Sequence, residues 1–475
     1  MNTFAYRDSI NFIRRIFYGL LRQPFLIAII LILNLATACK KFVEIPPPKD
    51  KVVTATVFKA DATAISAING LYAQIMSGNM TLLNGAMSLY PGLSADAIYN
   101  TNTGSNTQPF AKNSILPDNA INANLWARGY AYIYQINAIM EGLSNSGDAI
   151  SLATKNQLLG EACFMRAFCY FYLTNLYGDV PLELAINYKS NEKMPRTPQA
   201  KVYGQIISDL QNATKLLTTD YVTGDRARPN KWAAIALLAR VYLYQQQWSK
   251  ADSAATAIIM SGAYSLENNP QSVFLKGSSE TIWQLIPVSP GFNTAEGYTF
   301  IPYSSSVIPR YSLSTHLLAS FEPGDIRKED WIDSSEINYQ IYYYPYKYKV
   351  ALNSDVTECN VVLRLAEQYL IAAEAKANEG DILGAENNLN VIRNRAGLKD
   401  TPANDKASLL SAIEQERRVE LFCEWGHRWF DLRRTNRLNQ VMSVEKTGWN
   451  STDALYPIPE AEIQSNPALI QNAGY

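Results

Sequence analysis

The sequence predicts a mainly α protein in which helical hairpins form a scaffold around a loop-rich, minor-β lobe. Three observations carry this expectation. Apolar residues recur at helical spacing over most of the chain, as in Val57, Ala60, Ala64, Ile68 and Leu71. Several such stretches are separated by only a few residues, which makes neighbouring helices antiparallel. One long territory, 264–350, breaks the pattern with pieces such as Thr281-Ile282-Trp283-Gln284-Leu285 and reads as short strands and long loops.

Taken in order, the spacing predicts a first helix over 56–74. The stretch 78–118 is rich in Gly, Ser, Asn and Thr and reads as loop and short irregular structure. Helices follow over 124–143 and 155–176, the second ended by Tyr177-Gly178-Asp179-Val180-Pro181. The segment 201–217 carries Ile206, Leu210, Ala213 and Leu217 on one stripe. The segment 230–246 is apolar nearly all round and so is buried, and 248–261 follows after a very short break. A second hairpin runs over 363–397, broken at Gly380-Asp381, and a further helix covers 407–422. Small residues at helical spacing with a Gly-Asp break resemble tetratricopeptide units of about 34 residues, here scattered rather than in an uninterrupted array.

The amino terminus carries a different message. Arg14, Arg15 and Arg22 precede an apolar run from Phe25 to Leu35 that ends in Ala36-Thr37-Ala38-Cys39. A basic region, a short apolar core and small residues make a secretory signal over 1–38. A bilayer-spanning helix takes about 20 apolar residues, more than this run supplies. The junction resembles the bacterial lipobox, which implies cleavage before Cys39 and lipidation of that cysteine, a membrane anchor. Pro46-Pro47-Pro48 stiffens a tether over 39–55. The remaining 56–475 reads as a single helical domain whose variable lobe is drawn mainly from 78–118 and 264–350.

Composition narrows the function. Net charge is −1, so nothing argues for nucleic acid. Two histidines, His316 and His427, leave little for metal or proton chemistry, and no metal or cofactor is expected. Cys163, Cys169, Cys359 and Cys423 each sit in an apolar segment and read as free, buried thiols. Walker, GxGxxG, HExxH and GxSxG signatures are missing, so an enzyme is not expected. The run Glu416 to Glu420 followed by Gly426 to Arg434 alternates acids and arginines beside Trp429 and Phe430. It admits an anion site. The structural alternative has Arg428 and Arg434 bridging carboxylates such as Glu420 and Asp431, and is preferred because charges amid apolar residues need partners.

The same run, Glu416 to Arg434, is similar to the carboxyl-terminal segment of the SusD/RagB family of Bacteroidetes outer-membrane nutrient-binding lipoproteins. Glu161 to Phe168 with Leu176 to Leu182, Arg364 to Ala375 with Arg393 to Gly397, and Tyr456-Pro457-Ile458-Pro459 with Asn466-Pro467 also resemble family segments, in the same order. The resemblance implies a SusD-like fold, no bond-breaking chemistry, and glycan or sometimes peptide capture at the outer membrane, facing the exterior. It further implies a SusC-like TonB-dependent transporter as partner. Sugar rings present C–H faces that suit flat aromatic platforms. In such folds the early loop and the middle of the chain supply the site, which points to Tyr90, Tyr99 and Asn100, and to Phe292, Tyr298, Tyr303 and Tyr311. Trp331 and Tyr342-Tyr343-Tyr344 are further candidates. Trp126, Trp232 and Trp429 follow core patterns, and Trp283 sits in an apolar strand-like run. A peptide ligand on the same scaffold is the alternative, and a surface-anchored hydrolase a more distant one.

Overall fold

Polar side chains at helix starts and glycines at helix ends set the boundaries of the scaffold. The computed structural model describes residues 57–475; the signal segment, Cys39 and the tether 39–55 lie outside the described residues. The main helices are α1 (Asp61–Met76), α2 (Ala86–Ser94), α3 (Ala120–Ser144), α4 (Leu152–Tyr177), α5 (Gln199–Leu216), α6 (Lys231–Tyr244), α7 (Trp248–Met260), α8 (Ala295–Phe300), α9 (Leu365–Glu379), α10 (Ile382–Arg395), α11 (Lys406–Glu420) and α12 (His427–Arg434). The Ser151 side chain accepts the Thr154 N–H to start α4, and Gly178, at φ +77°, ends it. Asn230 caps α6 through the Ala233 N–H at 2.9 Å. Gly380, at φ +89°, and the Asp381 cap on Gly384 turn α9 into α10. From Gly160 to Tyr177 every residue of α4 is buried, with Glu161 paired to Arg228 and Arg166 to Asp209.

Packing is serial. Helix α3 packs on α4, α4 on α5, α5 on α6, and α6 on α7. Helix α7 then packs on α9, although the whole of 261–364 lies between them in sequence. In space, therefore, the scattered hairpins form a nearly continuous stack, and the 264–350 territory is an excursion from it. Beyond the main core, Ala366, Ala373, Ala377 and Ala385 let α9, α10 and α11 approach closely around Leu370, Leu389, Leu409 and Ile413.

The strands among the described residues form three antiparallel pairs. They are β1 (Ile98–Asn100) with β3 (Tyr311–Leu313), β2 (Thr281–Leu285) with β6 (Asn360–Arg364), and β4 (Ile332–Ile337) with β5 (Gln340–Pro345). Strand β2 is buried throughout. Phe164 and Phe168 meet the Trp283 ring edge-on at 4.7 and 5.1 Å, and its Nε1 donates to the Ala227 carbonyl at 2.9 Å. One expectation needs correction and another an addition. Leu363 belongs to β6, and the helix starts at Leu365. The 78–118 stretch is loop and short irregular structure over most of its length, as expected, but it also holds α2, an unexpected helix with all nine residues buried. Its serines disguised it: Ser88 Oγ donates to Glu296 Oε1 at 2.9 Å, and Ser94 Oγ lies 3.0 Å from the Tyr456 hydroxyl. Cys163, Cys169 and Cys359 are free and buried, as expected, while free Cys423 is only partly covered. Burial pushes the Cys163 thiol up to about 12.

Buried charge ties the excursion to the stack. Arg364, at the end of β6, reaches Glu280 at 2.8 Å, Glu420 at 2.5 Å and Glu424 at 2.8 Å. Arg327 bridges Asp325, Glu416 and Glu420 at 2.6–2.8 Å. Arg395 pairs with Glu280 at 3.0 Å and with Glu420. The structural reading of the carboxyl-terminal run holds with changed partners. Arg434 bridges Asp431 and Glu374, Arg417 also takes Asp431, and Arg428 pairs with Glu414 rather than Glu420. The positive charge of Arg395, Arg364 and Arg327 holds the Glu420 carboxyl far below its ordinary range against the opposing effect of burial. Arg364→Met leaves three carboxylates short of a partner, and we expect a loss of about 3–5 kcal/mol in denaturant unfolding. Arg437→Ala, at a partly exposed pair with Glu414, is expected to cost about 1 kcal/mol or less.

Candidate functional site

The lobe is built from pieces of chain that lie far apart in sequence. In the β1–β3 ladder Tyr99 pairs with Ser312 and Asn100 with Tyr311. Strands β4 and β5 close through Asn338 and Tyr339, both at positive φ, the conformation of a two-residue hairpin turn. Ser312 Oγ donates to the Tyr343 carbonyl at 2.6 Å and joins the two ladders. Alternation along β1 buries Ile98 and Asn100 and turns Tyr99 outward.

The structure divides the candidate residues into platforms and supports. Tyr99 is 38% exposed, Tyr298 38%, Tyr303 88% and Tyr343 37%. Phe292 is half-buried and meets Tyr298 edge-on at 5.1 Å, so these two form one aromatic pair. Three candidates are corrected to buried positions. Tyr90 lies on α2 stacked against Phe110 at 4.6 Å, because that helix faces the core on all sides. The Asn100 amide donates to Gln108 Oε1 at 2.9 Å, and its oxygen accepts from Thr107 Oγ1 at 2.7 Å, pinning the loop behind Tyr99. Tyr311 is buried with its ring edge-on to Phe300 at 6.2 Å. That contact links the Tyr99 ladder to α8, which carries Tyr298. Of the further candidates, Trp331 is fully buried and donates to the Pro270 carbonyl, and Tyr344 is buried with its hydroxyl on Asp333.

Sequence reasoning missed Tyr339, which is 99% exposed at the tip of the β4–β5 turn. Its signal was available: Tyr339, Ile341 and Tyr343 alternate, and all three are exposed. On the buried side of α8, Glu296 has one oxygen on Ser88 and the other unpartnered, and burial raises its carboxyl to about 7. Lys347 is buried too, its ammonium 4.1 Å from the Phe422 ring centroid and 4.5 Å from that of Trp331. Asp96, His316 and Glu445 bring ligand atoms together within 4.8 Å. Those carboxylates already have cations, however, with Lys446 at 3.8 Å from Asp96 and Arg418 at 3.3 Å from Glu445. Cavities of about 430, 290 and 210 Å³ lie away from these aromatic platforms.

Two family models match, one described as "Starch-binding associating with outer membrane" over residues 41–243 and one as "SusD family" over 324–475. Between them they take in both the early helices and the carboxyl-terminal charge network. The chain belongs to the SusD/RagB family. A SusD-like protein of Formosa agariphila is 25% identical, over 92% of this chain and 97% of its own length. A SusD superfamily protein of Bacteroides vulgatus superposes with TM-score 0.76 at 20% identity, over 88% of this chain and all of that one. A laminarin-binding SusD-like protein superposes with TM-score 0.70 at 23% identity, over 88% of this chain and all of its own. The mainly helical SusD-like fold is thereby shown, and no helix among the described residues is long and apolar enough to cross a membrane.

Glu296 makes the stability of the fold depend on pH. Above its ordinary pKa of 4.5 the unfolded chain ionises this carboxyl, while the folded chain holds the proton up to about pH 7. Its contribution to stability is therefore fully present below pH 4.5 and is lost as pH rises through 7. Glu296→Gln removes that loss. We expect the variant to match the parent near pH 4.5 and to exceed it at pH 8 by on the order of 1–3 kcal/mol in denaturant unfolding.

Proposed function

We propose that this SusD/RagB protein captures glycan chains on the Tyr99–Tyr298–Tyr303–Tyr343 lobe and hands them to a SusC-like TonB-dependent outer-membrane transporter. One observation carries the reading: four tyrosine rings are presented outward on or beside short ladders, and buried contacts fix the backbones at Tyr99, Tyr298 and Tyr343. Rings held this way bind at little cost in side-chain order. The rings offer apolar faces to sugar C–H groups, and the hydroxyls and loop amides suit sugar hydroxyls. The laminarin-binding relative supports a glycan as ligand class. Lipidation at Cys39 anchors the protein in the outer membrane with the lobe facing the exterior, and the helical stack faces the transporter. The activity is binding, without bond-breaking chemistry.

A glycan panel followed by calorimetry tests this. A saturable hit is expected, weakened about tenfold by Tyr99→Ala or Tyr298→Ala, the ~1.4 kcal/mol typical of one aromatic contact. Tyr339→Ala reports whether the hairpin tip takes part, and we expect a weaker effect. A clean negative from folded protein overturns the glycan reading in favour of a peptide ligand. Separately, Cys39→Ser is expected to move the protein from the membrane fraction to the soluble fraction on cell lysis.

A further inference from the structure

The cavity of about 290 Å³ lies between α3, the 181–192 connection and the carboxyl-terminal segment around the short helix Glu460–Ser465. None of the lobe tyrosines lines it. Trp126, Tyr130 and Tyr134 follow one another at four-residue spacing along a single face of α3, and Tyr188, on the 181–192 connection, also lines the cavity. Trp126 and Tyr130 lie 5.0 Å apart, and the Tyr130 hydroxyl is committed to the Pro181 carbonyl at 2.9 Å. Tyr134 and Tyr188 are exposed, so their faces are free for a ligand.

Charge makes the cavity unusual. Glu183, Glu192 and Glu462 line it, and no lysine, arginine or histidine is among its lining residues. Most acids elsewhere in the interior of this protein are held by guanidinium groups, whereas these three form no salt bridge within 4.0 Å among the described residues. Glu183 has one neutral partner, the Asn191 amide at 3.1 Å. Arg196, which passes nearby, is spent on the carbonyls of Asp179, Tyr177 and Ile470. Burial first, and then the charge of Glu462, raise the Glu183 carboxyl to about 7. A neutral sugar would leave this like-charge repulsion in place, and a cation would relieve it.

We propose that this cavity is a second binding site, separate from the lobe, that takes a protonated or quaternary amine between the Tyr134 and Tyr188 rings and the Glu183–Glu462 pair. Aromatic faces attract a cation through their quadrupoles, and partial desolvation strengthens the attraction. The carboxylates supply the counter-charge and hydrogen-bond acceptors. An amino sugar and a basic side chain share this chemistry.

Calorimetry on the full chain in mild detergent at pH 7.5 tests the site, with glucosamine, N-acetylglucosamine, lysine amide and choline as probes. We expect saturable binding of at least one cationic probe, and about tenfold weaker or no binding of uncharged N-acetylglucosamine. Preference for glucosamine over lysine amide assigns the amine to a sugar, and the reverse to a basic side chain. Glu183→Gln and Glu462→Gln should each weaken the cation about tenfold, and Tyr134→Ala about fivefold. Circular dichroism checks that each variant stays folded. Equal binding of glucosamine and N-acetylglucosamine overturns the proposal. So does indifference to both carboxylate substitutions in folded protein, or no binding of any cation.

Discussion

The rest of the structure depends on Glu420, a carboxylate without solvent that three guanidinium groups hold in place. Arg327 comes from the excursion, Arg364 from the strand that returns to the stack, and Arg395 from the end of α10. Taking these charges out of water is costly, and only near-ideal pairing offsets the cost. Each arginine therefore has one acceptable placement, and with it each segment it belongs to. Glu280, shared by Arg364 and Arg395, extends the constraint to the start of β2. The network contributes less to net stability than to fixing which of many compact arrangements the lobe adopts.

The scaffold and the lobe solve different problems. In the stack, helices meet neighbours close in sequence except where α7 meets α9, and small residues set the spacing of α9 to α11. In the lobe, strands of three to six residues pair across long separations in two of the three ladders, β4–β5 being a local hairpin, and such small ladders cannot hold themselves. They are stitched to the scaffold by side chains instead: Ser312 to the Tyr343 carbonyl, Ser88 to Glu296, and Lys347 beneath the aromatic rings of Phe422 and Trp331. Outward tyrosines are thus held on a rigid support even though the surface they occupy is mostly irregular.

Much of this was legible in the chain. Asn230, Gly178 and the Gly380-Asp381 pair mark helix ends by local chemistry that tertiary structure does not override, and the helices appear within a few residues of their expected bounds. Helix α2 was hidden because its serines are buried and hydrogen-bonded to residues hundreds of positions away, a fact no window of sequence contains. For the same reason Tyr90 and Tyr311 looked equivalent to Tyr99. Which face of a three-residue strand is outward depends on a partner more than two hundred positions downstream, Ser312 for Tyr99. The aromatic stripe of α3 was visible, but Trp126 read as core, and it is indeed nearly buried. What turns its neighbours into a cavity wall is the approach of the 181–192 connection and the chain terminus.

The sharing of Glu280 between Arg364 and Arg395 also orders events in time. During synthesis Glu280 emerges long before Arg395, which lies 115 residues further on. Strand β1 waits still longer for β3, with Thr101 hydrogen-bonded to a residue 209 positions later. Early hairpins such as α3–α4 can pair as soon as they are made, since their contacts are local. The lobe has no such option: its buried acids remain solvated and its strand edges open until the last third of the chain is present. A chain cut short before α10 would carry all six strands yet lack Arg395, Glu416, Glu420 and Glu424, the charges that Glu280, Arg327 and Arg364 pair with.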